Sequence, residues 1–347
     1  MAIRIISLLK SNRLTKLYIA AAALAVVTVC VAYEIGPEYH WSFAYLQYIP
    51  YYLFCAPVLL AVALSYRCSR RWQITSIAAL VLVLTIIMGF AVGWPDDGSE
   101  RIRVMTFNVK DYITVKDDAG LGTIIEEVNL HDPDILMLQD AVEINAQREE
   151  KSPAVLPLFA GKYVYTFGQY AVISRYPLKD CEKGFISYRH EPHTYVHCVV
   201  VTGATQIDLY TAHLLTPRAG LNAVRQENRG AISTWQENIA DRLTQAQSLA
   251  SDMQKSIRPI ILAGDFNAAD RSLVVRTLMH GRLRDAFVSA SIGFGYTYGH
   301  SLRPGISFLK LDHILVDPSI GVARCYVGSK EVSPHRPVIA DLLLKRK

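Results

Sequence analysis

Hydrophobic and polar positions are laid out in two different ways along this 347-residue chain. Up to Trp94 the apolar residues come in long blocks. Residues 17–33, 41–66 and 72–94 form three runs without a charged side chain, each long enough for a helix to cross a bilayer core of ~30 Å. Trp41, Tyr45, Tyr48, Trp72 and Trp94 lie near the run ends, where amphipathic rings favour the membrane interface. As core helices of a soluble domain, such runs would need a very large apolar interior. The pattern predicts three transmembrane helices within residues 1–94.

From Arg101 the period changes. "RIRVMTFNV" alternates apolar and polar residues as a half-buried strand does, and a helix pattern in "LGTIIEEVNLH" is stopped by "DPD". "ILMLQ", "YAVISR" and "IDLYTAHL" read as short strands. A long helix is predicted over residues 223–256, with Ile232, Trp235, Ile239, Leu243, Ala246, Leu249 and Met253 on one stripe. After it come the strand "PIILAGD", a helix over residues 271–280 ended by Gly281, and the strands "LDHILVD" and "VIADLLL". Residues 95–100, "PDDGSE", read as a polar linker, and residues 101–347 as one α/β domain.

Charge adds an orientation. Arg4, Lys10, Arg13 and Lys16 precede the first run, the connection "EIGPEYH" is acidic, and "RCSRRWQ" carries Arg67, Arg70 and Arg71. Short basic loops stay cytoplasmic. The N-terminus and the arginine loop are therefore expected inside, and the domain after Trp94 outside. The first run resembles a signal peptide, but no small-x-small cleavage site follows it, so it reads as an anchor. Residues 101–347 hold 29 basic against 26 acidic side chains, a balance of +3 with no basic run interleaved with aromatics. A long nucleic-acid track is not evident. An oxidising compartment would permit one disulfide among Cys181, Cys198 and Cys325; Cys181 and Cys198 can meet if their segments are neighbouring strands, and buried free thiols are the alternative.

Polar residues gather at the ends of the apolar strands. Asp265 and Asn267 in "GDFN" project to one side of an extended chain, where a carboxylate and an amide can orient a water and a phosphoryl oxygen; an Asx turn is the structural alternative. His213 ends the strand in "LYTAHLLTP". Asp312 enters a buried strand and needs a partner there. Asn108 in "FNVK", Asp140 in "ILMLQDA" and His335 in "SPHRPV" complete the set. Arg218 in "TPRAG" is a candidate phosphate contact, whereas His193 and His197 read as strand-surface residues and His313 as packed within its strand.

In this order the pieces resemble the endonuclease/exonuclease/phosphatase family, a group of metal-dependent phosphoesterases that includes nucleases, sphingomyelinases and inositol-phosphate phosphatases. "SRYPL", "HLLTPRAGL" and "LRDAF" are similar to bacterial members with N-terminal membrane spans, of the type associated with glycopeptide resistance. The resemblance implies a four-layer sandwich, two facing mixed β-sheets flanked by helices. It implies Asn108 and Asp140 near a divalent metal, Mg²⁺ or Mn²⁺, and Asp265 and Asn267 positioning the attacking water and the phosphate. His213 would contact the phosphate or protonate the leaving oxygen, and Asp312 would hold His335 in one tautomer, as a base or an electrostatic stabiliser. Carboxylate and amide oxygens suit such a hard ion.

Three positions depart from the family pattern: Asp140 where Glu is usual, Pro334 where Asp precedes the last His, and Lys110 where some nucleases carry an acid. All three remove or retract negative charge around the ion. The expected activity is hydrolysis, outside the cytoplasm, of a phosphate ester or pyrophosphate in a lipid-linked substrate. An extracytoplasmic nuclease and an inactive binding module of the same fold are the alternatives.

Overall fold

The computed structural model describes residues 12–110, 118–189, 191–203, 205–226, 230–279, 281–302, 305–328 and 332–346. Arg4 and Lys10 of the basic N-terminus, residues 227–229 of the long predicted helix and His280 lie outside them. Two units are distinguished, Met1–Phe90 and Ala91–Lys347.

The first unit is helical: α1 (Asn12–Ile35), α2 (Trp41–Leu46), α3 (Tyr52–Ser65) and α4 (Arg70–Leu82), the last continued by a wider turn over Val83–Ile87. Two helices are long and apolar enough to cross a membrane, Arg13–Ile35 and Arg70–Ile87. The middle run, expected as one span, is broken between α2 and α3. Pro50 lacks an amide hydrogen and biases the preceding Ile49 away from helical backbone. With 14 residues α3 is about 21 Å long. Val26, Cys30 and Tyr33 of α1 pack with Val58 of α3 and with Ala79, Val83 and Ile87. Leu24, Leu59 and Ile77 instead point outward, each half exposed or more.

The second unit opens with strand β1 (Ala91–Val92), so the third run does not stay helical to Trp94. The supposed linker is also part of the domain. Asp96 accepts from the Val322 amide at 2.9 Å and pairs with Arg284, and residues from Gly98 already belong to β2 (Gly98–Asn108). Then follow α5 (Asp118–His131), β3 (Ile135–Gln139), α6 (Val142–Glu149), α7 (Leu156–Phe159), β4 (Tyr163–Phe167) and β5 (Tyr170–Ser174). Strands β6 (Leu178–Phe185), β7 (Thr194–Thr202) and β8 (Thr205–His213) lead to α8 (Arg218–Arg225) and α9 (Ala231–Met253). The single helix expected over residues 223–256 is thus two; Gly230, in left-handed backbone with φ 80°, caps the second. The chain closes with β9 (Ile260–Asp265), α10 (Leu273–Met279), β10 (Arg284–Asp285), α11 (Ala286–Ala290), β11 (Ile292–Gly293), β12 (Asp312–Val316), β13 (Gly321–Val327) and β14 (Val338–Arg346).

Two mixed six-stranded sheets result, in the orders β13-β14-β2-β3-β5-β4 and β10-β12-β9-β8-β7-β6; β1 pairs with β11 apart from them. The inner core joins the facing sides of both: Ile102, Val104, Met137 and Ala340 from one, Val196, Leu209, Ile261 and Ile314 from the other. The opposite faces are covered by helices. Met105, Phe107 and Leu138 pack under Leu121, Ile124 and Ile144, while Tyr210, Leu262 and Leu315 pack under Ala246, Leu249, Met253 and Val274. The expected layering, helices outside two facing sheets, is what these three cores form. Cys181 and Cys198, on adjacent β6 and β7, are joined as a disulfide, and Cys325 is a buried free thiol.

Candidate active site

Strand phase assembles the site. Along β2 the side facing the inner core runs from Ile102 and Val104 through Thr106 to Asn108. The same side ends in Gln139 on β3, in Thr211 and His213 on β8 and in Asp265 on β9. β12, antiparallel to β9, starts it with Asp312 opposite Asp265. Each inner face turns polar at one end of the sandwich. Just beyond β2, β3 and β9, Lys110, Asp140 and Asn267 take left-handed backbone, with φ of 50°, 49° and 51°. Such backbone costs a side-chain-bearing residue about 1–2 kcal/mol. Three adjacent instances mark a region held by its surroundings.

Six groups form an alternating row of acids and bases. Asp312 Oδ2 lies 2.9 Å from His335 Nδ1, and His335 Nε2 lies 3.6 Å from Asp265 Oδ2. That oxygen also accepts from Asn108 Nδ2 at 2.9 Å and is 3.5 Å from His213 Nε2. His213 Nδ1 is 3.3 Å from Asp140 Oδ1, and Lys110 Nζ donates to Asp140 Oδ2 at 2.8 Å. Asn267 donates its amide N–H to Asp265 Oδ1 at 2.8 Å and its Nδ2 to Leu214 O at 2.9 Å, bracing the turns after β8 and β9.

The row shifts its members in opposite senses. Burial opposes the imidazolium of His335, but Asp312 and Asp265 on its two sides outweigh it and raise the pKa to about 9. Burial pushes Asp312 up. His213 is raised despite burial by Asp140 and Asp265. For Asp140, burial is overcome by His213 and Lys110, which hold the carboxyl well below its usual range.

Several supports had no signal in the sequence. Gln139 donates to Thr106 Oγ1 at 3.0 Å and to Thr211 Oγ1 at 2.9 Å, tying β3 to the opposite sheet beneath the row. Gln169 Oε1 lies 2.7 Å from His213 Nδ1, and Tyr170 Oη accepts from the His213 amide. Ser333 donates to Asn108 O at 2.7 Å and accepts from the His335 amide. Gly264 lies opposite Ala212, one register step before the His213–Asp265 pair of β8 and β9, and a Cβ there would sit 2.0 Å from Ala212 O. No side chain fits there.

Ligand atoms of Asp265, Asp312 and His335 lie within 4.8 Å of one another, as do those of Asp270, Asp285 and His313. The second group already has a cation at its centre: Lys310 Nζ is 2.9 Å from Asp270 Oδ1 and 2.8 Å from Asp285 Oδ2. His313 bonds Asp285 Oδ2 at 3.0 Å and Ala268 O at 2.9 Å, so it braces the loop after Asp265 rather than merely filling space. His197 is likewise not a surface residue; it bonds Asp208 at 2.9 Å and stacks on Tyr210. Arg218 is exposed at the start of α8 and, among the described residues, makes no ion pair with the row.

The family model described as the endonuclease/exonuclease/phosphatase family matches residues 105–335. No curated protein matches. Among solved structures, TDP2 of D. rerio complexed with single-strand DNA product is similar at TM-score 0.53 and 14% identity, over 70% of this chain and 99% of that one. An endonuclease/exonuclease/phosphatase from Bacteroides vulgatus aligns at TM-score 0.53 and 17% identity, over 71% and 100%. A mannosyl-6-phosphatase from Bacteroides thetaiotaomicron aligns at TM-score 0.50 and 17% identity, over 70% and 99%.

Proposed function

The chain belongs to the endonuclease/exonuclease/phosphatase family, and from that premise we propose a membrane-anchored, divalent-metal-dependent phosphoesterase that cleaves a lipid-linked phosphate ester or pyrophosphate outside the cytoplasm. The observation that carries the chemistry is the alternating row from Asp312 to Lys110.

Phosphate-ester hydrolysis needs an activated water, a leaving-group acid and positive charge on the phosphoryl oxygens. Asp265 Oδ2 takes the proton of the attacking water, and Asn267 fixes the loop that aims it. His335 stays cationic between two carboxylates and donates its Nε2–H to a phosphoryl oxygen. It is therefore an electrostatic stabiliser, and the base is Asp265. His213, at the neighbouring strand end, contacts the phosphate or protonates the leaving oxygen. The oxygen donors fit a hard divalent ion, which would be held by Asn108 and Asp140. When bound it would neutralise charge developing on the phosphoryl group.

Anchoring is supported by the outward apolar side chains of Arg13–Ile35 and Arg70–Ile87. Hydrogen-bonded turns extend α3 from Pro50 to Cys68, a reach that supports a third crossing. Three crossings leave Arg67, Arg70 and Arg71 inside and the domain outside. The Cys181–Cys198 disulfide supports an oxidising compartment.

The test is release of phosphate by the full-length protein, with Mg²⁺, from a panel of lipid-linked phosphates and pyrophosphates in detergent. Release from the lipids without nicking of plasmid DNA is the expected result. Nicking alone would replace this reading by a nuclease, and neither reaction by a binding module.

His335 also sets a pH dependence. Its pKa is raised from 6.5 to about 9, so the pairing with Asp312 and Asp265 is complete below 6.5 and is lost as pH rises through about 9. Turnover is expected to fall across that upper limit. In the residual activity of His335→Gln the limb should vanish, as a pH–rate profile would show.

A further inference from the structure

Lys110 engages both residues assigned to the metal. Its ammonium lies 2.8 Å from Asp140 Oδ2, and its amide N–H donates at 2.9 Å to Asn108 Oδ1, the amide oxygen an ion would use. Its left-handed backbone, φ 50°, turns the chain back so that one residue reaches both groups. The other oxygen of Asp140 faces His213 at 3.3 Å. Asp140 thus has a cationic or hydrogen-bonding neighbour on each oxygen and is part buried, with 17% of its side chain exposed; Lys110 keeps 32%. An ammonium on a four-carbon stem with a third of its surface open can swing away without unfolding its surroundings.

We infer that Lys110 is a built-in counter-cation that competes with the divalent ion for Asp140, so that its ion pair sets how tightly this protein holds metal. Resting on the phosphoesterase reading, this inference gives Lys110 a function that no acidic residue at that place could have. One carboxylate cannot give the same lone pairs to an ammonium and to a metal at once. Ion binding and the Lys110–Asp140 pair therefore oppose each other, and the coupling is reciprocal. The ion loosens Lys110, and the released ammonium becomes free to meet a phosphoryl oxygen of the substrate.

The experiment is Mn²⁺ titration, read by electron paramagnetic resonance, of the full-length protein, Lys110→Met, Asp140→Asn and the double variant, with thermal melts as a folding control. Lys110→Met is expected to bind Mn²⁺ about 5–150-fold more tightly than the parent, the range typical of coupled sites. In the Asp140→Asn background the same substitution should have no effect, which separates competition at Asp140 from a general loss of positive charge. A tightening that persists in the Asp140→Asn background overturns the inference, and so does equal affinity of the parent and Lys110→Met.

As a second readout, Mg²⁺ should speed labelling of Lys110 by an amine-reactive reagent, followed by peptide mass spectrometry. An unchanged rate contradicts the inference even if a variant fails to fold. Phosphate release measured in parallel distinguishes the two failures. Equal Mn²⁺ affinities with hydrolysis intact leave the phosphoesterase reading standing, whereas no Mn²⁺ binding by any protein removes both the competition and the metal dependence.

Discussion

Asp265→Asn is expected to lower turnover about 10²–10⁴-fold, the range for removal of a positioned proton acceptor. The side chain is 1% exposed and keeps its shape on substitution, so volume does not enter. What changes is that Asp265 Oδ2 serves Asn108 Nδ2 while facing His213 and His335. An amide cannot take the water's proton and removes the negative charge between two histidines. One orientation sets its NH₂ against Asn108 Nδ2, the other against the Asn267 amide, so one donor loses its acceptor either way. That costs about 1–3 kcal/mol of stability. Phosphate release beside a thermal melt separates the two effects. A folded variant within tenfold of the parent would remove Asp265 from the role of base.

The largest stability effect is expected at Lys310. Its side chain is 3% exposed and its ammonium lies between Asp270 and Asp285. Burial works against its charge, yet the two carboxylates raise its pKa, and Lys310 and His313 hold Asp285 well below its ordinary range in spite of burial. Lys310→Met keeps the apolar stem and leaves both acids without their shared cation. Breaking a buried pair from one side costs roughly 3–5 kcal/mol. Chemical denaturation of the parent and variant measures it. A loss below about 1 kcal/mol would mean that the acids find other partners, as exposed pairs do.

Much of the fold was legible because strand phase is local. "RIRVMTFNV", "IDLYTAHL" and "PIILAGD" each show which side chains face one way, and the inner side of each ends in Asn108, His213 or Asp265. Turns were harder. The break before α3 falls at Pro50, whereas Pro57 of the same run lies inside α3, and the division of α8 from α9 falls at Gly230. Long-range pairing was not legible at all. Nothing near residues 91–100 indicates that Ala91 and Val92 will pair with Gly293 and Ile292, or that Asp96 will meet Arg284. Gln139 and Lys310 were missed for the same reason, and Lys110 stood out only as a departure from the family pattern, without its partner Asp140. A polar residue in an apolar setting has a partner, but the sequence does not name it.

The disulfide has a consequence for association. β6 is the last strand of its sheet, so one side of its backbone is open to pairing with another chain. Its register slips between Lys179 and Glu182, and Cys181 lies at that slip, bonded to Cys198 on β7. Closing a loop across 17 residues limits the unfolded chain by roughly 3 kcal/mol. The covalent tie falls where the hydrogen-bond ladder is interrupted and where fraying would begin. With Lys179, Asp180, Glu182 and Lys183 presenting mixed charge along the same strand, the edge is guarded twice against strand addition. Reduction would leave only the charges to guard the edge, so strand addition at β6 is expected to be easier in a reducing environment.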